Sequence, residues 1–123
     1  VIVNKLSYYF TNPERGDIIV FHDKIDLIKR VIALPGEEID LRDGKVLING
    51  VPLEEDYLNE PMDTSILGTI DFPYIVPEDS FFVMGDNRNV SQDSRFTGPV
   101  SKDQIFAKAG LRIWPLNSFG FLK

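Results

Sequence analysis

Two turn dipeptides, Asp43-Gly44 and Asn49-Gly50, bracket the short run Lys45-Val46-Leu47-Ile48, and no other feature restricts the folding of this chain so tightly. Asp-Gly and Asn-Gly are preferred where both central residues of a two-residue hairpin take positive φ, so each marks a reversal between antiparallel strands. A meander over Glu37 to Leu53 follows: Ile39-Asp40-Leu41, a turn, Lys45 to Ile48, a second turn, and Val51-Pro52-Leu53. Eight Pro and nine Gly divide the rest of the 123 residues into similarly short runs. The class implied is mainly β, with antiparallel sheets. The length is that of one domain, 1–123, with residues 38–76 expected as a β excursion within it.

Two longer runs flank the meander. Ile18-Ile19-Val20-Phe21, after the turn chemistry of Thr11 to Asp17, reads as a strand covered on both faces. Ile25 to Leu34 is a second strand, stopped by Pro35-Gly36. Strict alternation puts Ile25, Leu27, Lys29, Val31 and Ala33 on one face and Asp26, Ile28, Arg30, Ile32 and Leu34 on the other. Further on, Ser80 to Met84 is a third strand, Ser101 to Ile105 a short helix or a lead into strand, and Ala107 to Leu116 a last strand. Val1 to Leu6 is β-branched and short, a strand in prospect. Trp114-Pro115-Leu116, Phe119 and Phe121 read as core edge, or else as an apolar surface near lipid. Glu54 to Tyr74 carries the weakest pattern and reads as an excursion from the core.

Two stretches stand out chemically. Gly85 to Arg95, GDNRNVSQDSR, releases two Asp, two Asn, two Ser, two Arg and a Gln directly after the apolar Phe81 to Met84. These are ordinary turn residues, and a solvated turn accounts for them. Lys29-Arg30 places two cations inside an apolar strand pattern. Lys29 either snorkels to the rim of its face or is an amine held among aliphatic side chains, where desolvation disfavours the charged form. A free Lys titrates near 10.4, so only the second case yields a neutral amine able to act as general base for a Ser hydroxyl, the Ser-Lys variant of acyl transfer. Ser91 is placed to orient such an amine, with Arg30, Asp86, Asp93 and Arg95 available to hold the loop.

Composition excludes several alternatives. Lys and Arg total 13 against 19 Asp and Glu, a net charge of −6, which argues against a nucleic-acid partner and leaves protein or peptide substrates open. There is no Cys, so thiol nucleophiles and thiolate metal sites are absent. His22 is the one His; it rules out multi-His metal sites and reads as an exposed structural residue, so no metal and no cofactor is expected. No run of about 18 apolar residues exists to span a bilayer.

RGDIIVF at Arg15 to Phe21, KRVIALPGE at Lys29 to Glu37 and GDNRNVSQDSR at Gly85 to Arg95 stand in the order of the conserved boxes of bacterial type I signal peptidases, which this chain resembles from its first residues to its last strand. The resemblance implies the complex β fold shared by signal peptidases and repressor autoproteases, with a small β insertion. It implies that the full-length protein is a serine endopeptidase removing signal peptides from preproteins, with Lys29 as general base and Ser91 hydrogen-bonded to it. It also implies ion pairs Arg30–Asp86 and Asp93–Arg95, and an apolar surround for Lys29 from Phe21, Leu27 and Val83. A signal peptide would add alongside the strand before the base, so that Asp26, Leu27 and Ile28 line the cleft. The partners implied are signal peptides and the membrane surface. The location implied is the bacterial cytoplasmic membrane, with a single-pass anchor and the catalytic domain on the outer face.

The family's nucleophile lies in a Ser-Met-x-Pro box upstream of the first strand. The expectation is therefore that the amino terminus is cut, with nucleophile and anchor preceding Val1, and that residues 1–123 alone cleave nothing. Ser7, Ser65, Ser80, Ser94, Ser101 and Ser118 match no nucleophile motif. One alternative is a non-catalytic signal-peptidase-like binding or assembly factor, for example in pilus assembly. Another is a repressor-type autoprotease, which does not explain GDNRNVSQDSR.

Overall fold

Both turn dipeptides do what their chemistry requires. In the computed structural model, which describes residues 13–58, 60, 62–64, 68–90 and 92–109, Asp43 and Gly44 have φ of 53° and 79°, and Asn49 and Gly50 have 52° and 83°. Positive φ at both central positions matches the turn twist to the strand twist. The turns join β3 (Glu38–Arg42) to β4 (Lys45–Ile48) and β4 to β5 (Val51–Pro52). With β6 (Tyr74–Ile75) they make a four-stranded sheet in the order β5-β4-β3-β6, with every pairing antiparallel.

The other sheet has five strands. Its order is β8-β7-β2-β1-β9, built from β1 (Ile18–Asp23), β2 (Ile25–Ala33), β7 (Ser80–Met84), β8 (Val100–Ser101) and β9 (Ile105–Ala109), again antiparallel throughout. A one-turn helix α1 (Ser94–Thr97) follows the polar loop, and a 3₁₀ turn (Lys102–Gln104) precedes β9. The short-helix and strand alternatives at Ser101 to Ile105 are thus both realised in sequence. The expected strand Val1 to Leu6, the stretch beyond Ala109 with Trp114, Pro115, Leu116, Phe119 and Phe121, and Ser91 lie outside the described residues.

The five-stranded sheet is buried on both faces by two separate clusters. Ile19, Phe21, Val31, Phe81, Val83, Val100 and Ile105 form one, with Leu27 and Leu34 packed against it. Ile32, Ala33, Phe82 and Met84 belong to the other, shared with Ile39, Leu41, Val46 and Ile48 of the four-stranded sheet. This is why Phe81 to Met84 is apolar at every position: successive residues supply opposite cores.

Strict alternation along β2 fails at its end. Val31 pairs with Val83 but Ala33 pairs with Phe82, so the register shifts between them. Such an irregularity inserts a residue and reverses the faces beyond it. Ala33 consequently joins the cluster of Phe82, and Leu34 packs with the cluster of Val31, the reverse of the expected assignment.

The stretch after β5 is also bound more closely to the core than its weak pattern suggested. Tyr57 and Met62 are buried, and Ile70 and Phe72 pack against the inter-sheet cluster. Among the described residues, no helix is long and apolar enough to cross a membrane.

Candidate active site

Alternation up to the bulge decides where the two strand cations point. Lys29 stands opposite Ile19 across the β1–β2 ladder, and Arg30 stands opposite Ile18 on one side and Met84 on the other. Lys29 therefore shares its face with Leu27, Phe21 and Val31, and with Val83, the partner of Val31. It is 4% exposed, which excludes the snorkelling alternative. Burial pushes its amine below its ordinary value; Asp93 pulls it back up and Arg95 pushes it down again, and burial prevails.

Arg30 is fully enclosed on the opposite face. Its Nε and Nη2 donate to Asp86 Oδ1 and Oδ2 at 2.9 and 2.8 Å, and Nη1 donates to the carbonyl of Gly16 at 2.9 Å. Its guanidinium carbon lies 4.0 Å from the ring centroid of Tyr57, a cation–π stack. Asp86, the second residue after β7, is thus tied to β2 beside Lys29.

Asp93 and Arg95 form a second enclosed pair. Arg95 Nε and Nη2 donate to Asp93 Oδ1 and Oδ2 at 2.9 and 2.8 Å, and the main-chain N–H of Arg95 donates to Oδ1 at 3.1 Å, capping α1. Gly85 N–H reaches Asp93 Oδ2 at 3.2 Å, which closes the loop on itself. Among the described residues, Arg95 Nη1 is the buried side-chain polar atom left without a hydrogen-bond partner. The two pairs named from the sequence are therefore brought to one region.

A third enclosed pair escaped sequence reasoning. Arg88 donates to Glu55 through Nη1 and Nη2 at 3.0 and 2.6 Å, and to the carbonyl of Gly85 through Nε at 2.7 Å. Burial works against the Arg88 charge, but Glu55, Tyr57 and Asp86 outweigh it and hold the guanidinium above its ordinary range. Tyr57 donates its hydroxyl to Glu55 at 2.7 Å, and burial, then Glu55, push that hydroxyl far above its usual value. Glu55 lies in the weakly patterned stretch Glu54 to Tyr74, where no local signal singles it out. Ser94 was missed too: its Oγ accepts from the main-chain N–H of Val83 at 3.0 Å, so the loop also braces the strand it leaves.

The expected cleft residues lie on an open edge. β1 covers β2 from Ile25 to Arg30, whereas β7 covers it only from Arg30 to Ala33. Among the described residues, the β7 side of Ile25 to Lys29 therefore has no strand partner. Exposure falls along this edge, from Ile25 and Asp26, exposed, through Leu27 and Ile28, half-buried, to Lys29. Asp26 and His22 face each other across the hairpin, with Nδ1 and Oδ1 3.0 Å apart. Among the described residues, no cluster of three or more His, Cys, Asp or Glu could hold a metal ion.

Comparison with known proteins points one way. The family model described as signal peptidase, peptidase S26, matches residues 1–114. Signal peptidase I of Leptolyngbya laminosa is 48% identical over 133 residues, covering 99% of this chain and 63% of that protein. Signal peptidase IB of Staphylococcus aureus is 35% identical, covering 98% of this chain and 71% of that protein. The crystal structure of a signal peptidase I from Enterococcus faecalis superposes with a TM-score of 0.67 at 34% identity, over 80% of this chain and 97% of that one. This chain spans about three fifths of the length of the Leptolyngbya and Synechocystis relatives it matches. With a family model matched over nearly its whole length and a solved relative sharing the same β architecture, the chain belongs to the S26 signal peptidase family.

Proposed function

We propose that this chain is the peptidase core, a single domain over 1–123 with residues 38–76 as its β excursion, of a signal peptidase I that cleaves signal peptides from preproteins. Lys29 is its general base. The observation that carries the reading is Lys29, 4% exposed, at the end of a β2 edge that has no strand partner among the described residues. A neutral Lys29 takes the proton from a Ser Oγ as that oxygen attacks the scissile carbonyl. It then returns the proton to the departing amine, and water hydrolyses the acyl-enzyme by the same proton route.

The peptide adds to the open edge of β2 as an extended strand, drawing main-chain hydrogen bonds from Asp26 to Ile28, with side-chain pockets formed on the face of Leu27, Phe21 and Val83. Ser91 orients the amine. Arg30–Asp86 and Asp93–Arg95 hold the loop that carries it. The nucleophilic Ser is that of the Ser-Met-x-Pro box of the full-length protein, which is anchored in the cytoplasmic membrane with this domain on its outer face.

The test is cleavage of a preprotein by the full-length protein and by its Lys29→Ala variant across pH. The expected result is activity that rises with pH to a plateau well below the ordinary Lys value, and that is lost in the variant by a factor of at least about 10³. A variant that keeps most of the activity sinks the assignment of the base. A full-length protein that binds signal peptides without cleaving them moves the reading to a binding or assembly factor.

A further inference from the structure

We propose that Glu55 is a positioning residue for this site: acting through Arg88, it holds the Gly85–Arg95 loop in the shape that supports the base, so that the segment leaving the four-stranded sheet works as a strut on the catalytic loop. This rests on the reading of Lys29 as the base.

The loop is a closed circuit of hydrogen bonds. Gly85 N–H donates to Asp93, Asp93 accepts from Arg95, Arg95 Nη2 donates to the carbonyl of Arg88 at 2.7 Å, and Arg88 Nε donates back to the carbonyl of Gly85 at 2.7 Å. Arg88 thus sits in the ring twice, through its side chain and its main chain. The rest of its guanidinium is held from outside the loop: both Nη atoms point at Glu55, 33 residues away, and the two side chains are 1% and 6% exposed. Glu55 is fixed in turn by the Tyr57 hydroxyl, and Tyr57 by its stack on Arg30, next to Lys29 in β2.

A buried ion pair is a poor way to gain stability, because the desolvation of both charges offsets their attraction and apolar replacements do at least as well. A planar, bidentate fork instead fixes direction. The loop delivers Asp86, which grips Arg30 next to Lys29 in β2, and Asp93 and Arg95, whose charges act on Lys29, so misdirection of Arg88 reaches the base through its supports.

The experiment uses the full-length enzyme on a preprotein. Glu55→Gln is expected to lower kcat about tenfold with KM within about twofold, since displacements of an ångström or less in a supporting shell act on the chemical step. Glu54→Gln removes the same charge one residue away on the exposed surface, and is expected to change neither constant.

Amide hydrogen exchange separates positioning from general destabilisation. In Glu55→Gln, the Gly85 and Arg95 amides, both bonded to Asp93, are expected to exchange at least about tenfold faster while the β3–β4 ladder keeps its protection. If that variant fails to fold, Glu55→Gln combined with Arg88→Met leaves no unpaired charge. The proposal then requires the double variant to show the same kcat loss and the same local exchange. Unchanged kcat and unchanged exchange at Gly85 and Arg95 overturn it, as does faster exchange spread evenly over both sheets. Activity that survives Lys29→Ala overturns the underlying reading instead, and the exchange data still judge the strut by themselves.

Discussion

Lys29 and Arg30 are neighbours in the chain and are buried on opposite faces of one strand, the first against Ile19 and Val83, the second against Asp86 and Tyr57. A strand turns successive side chains to opposite sides, so a single Lys-Arg dipeptide sends one cation to each core. Arg30 is paired there with the fully enclosed carboxylate of Asp86.

Burial of the Lys29 amine makes stability depend on pH. Burial lowers its value in the folded protein below the ordinary 10.5, so between the lowered value and 10.5 the unfolded chain binds more protons than the folded one. Stability therefore rises with pH across that window. Relative to Lys29→Met, the wild-type protein is expected to gain stability as pH rises through the lowered value towards 10.5. Urea midpoints of both proteins across this range check it, and parallel curves would contradict it.

Asp86→Asn leaves the Arg30 charge enclosed with its two-pronged partner gone. A loss of about 3–5 kcal/mol is expected, because an uncompensated buried charge costs far more than the pair contributes. Denaturant unfolding reads it directly. A loss under about 1 kcal/mol would mean that water reaches Arg30.

Two glycines separate conformational strain from collision. A Cβ on Gly68, where φ is +75°, would overlap the carbonyl oxygen and carbon of Arg95, while a Cβ on Gly50, at φ +83°, would meet nothing. Gly50→Ala is expected to cost about 1–2 kcal/mol from φ alone. Gly68→Ala should cost clearly more, since the Arg95 carbonyl also accepts from the N–H groups of Thr69 and Ile70. Equal losses in thermal or denaturant unfolding would remove the close contact from the account.

Ser94→Ala removes the acceptor of the buried Val83 N–H. The expected cost is about 1–3 kcal/mol, the penalty for an unsatisfied buried donor. The same variant should leave the fold intact, because Ser94 is not the residue that caps α1; Asp93 is. Near-identical circular dichroism with a lowered unfolding midpoint is the result to look for.

Much of this architecture is local in origin and so is legible in the chain. The positive-φ pairs at Asp43-Gly44 and Asn49-Gly50 fix the meander because few residue pairs accept that backbone. Period-two alternation sets the faces of Lys29 and Arg30 for the same kind of reason: it depends only on the strand being a strand. It fails at Ala33 because the bulge is imposed by the partner strand β7, which no pattern within β2 encodes.

What the sequence by itself determined is the chemistry at hand: short strands, a cationic pair in an apolar run, and an acid- and Arg-rich loop released from a buried strand. The pairing of Arg30 with Asp86 was legible only through the family resemblance; tertiary structure alone decided that of Arg88 with Glu55 and, among the described residues, the edge of β2 left without a strand partner beside Lys29. The reason is physical. Backbone preference acts over neighbouring residues, whereas the partner of a buried charge is whichever group the packed sheets bring within hydrogen-bond reach.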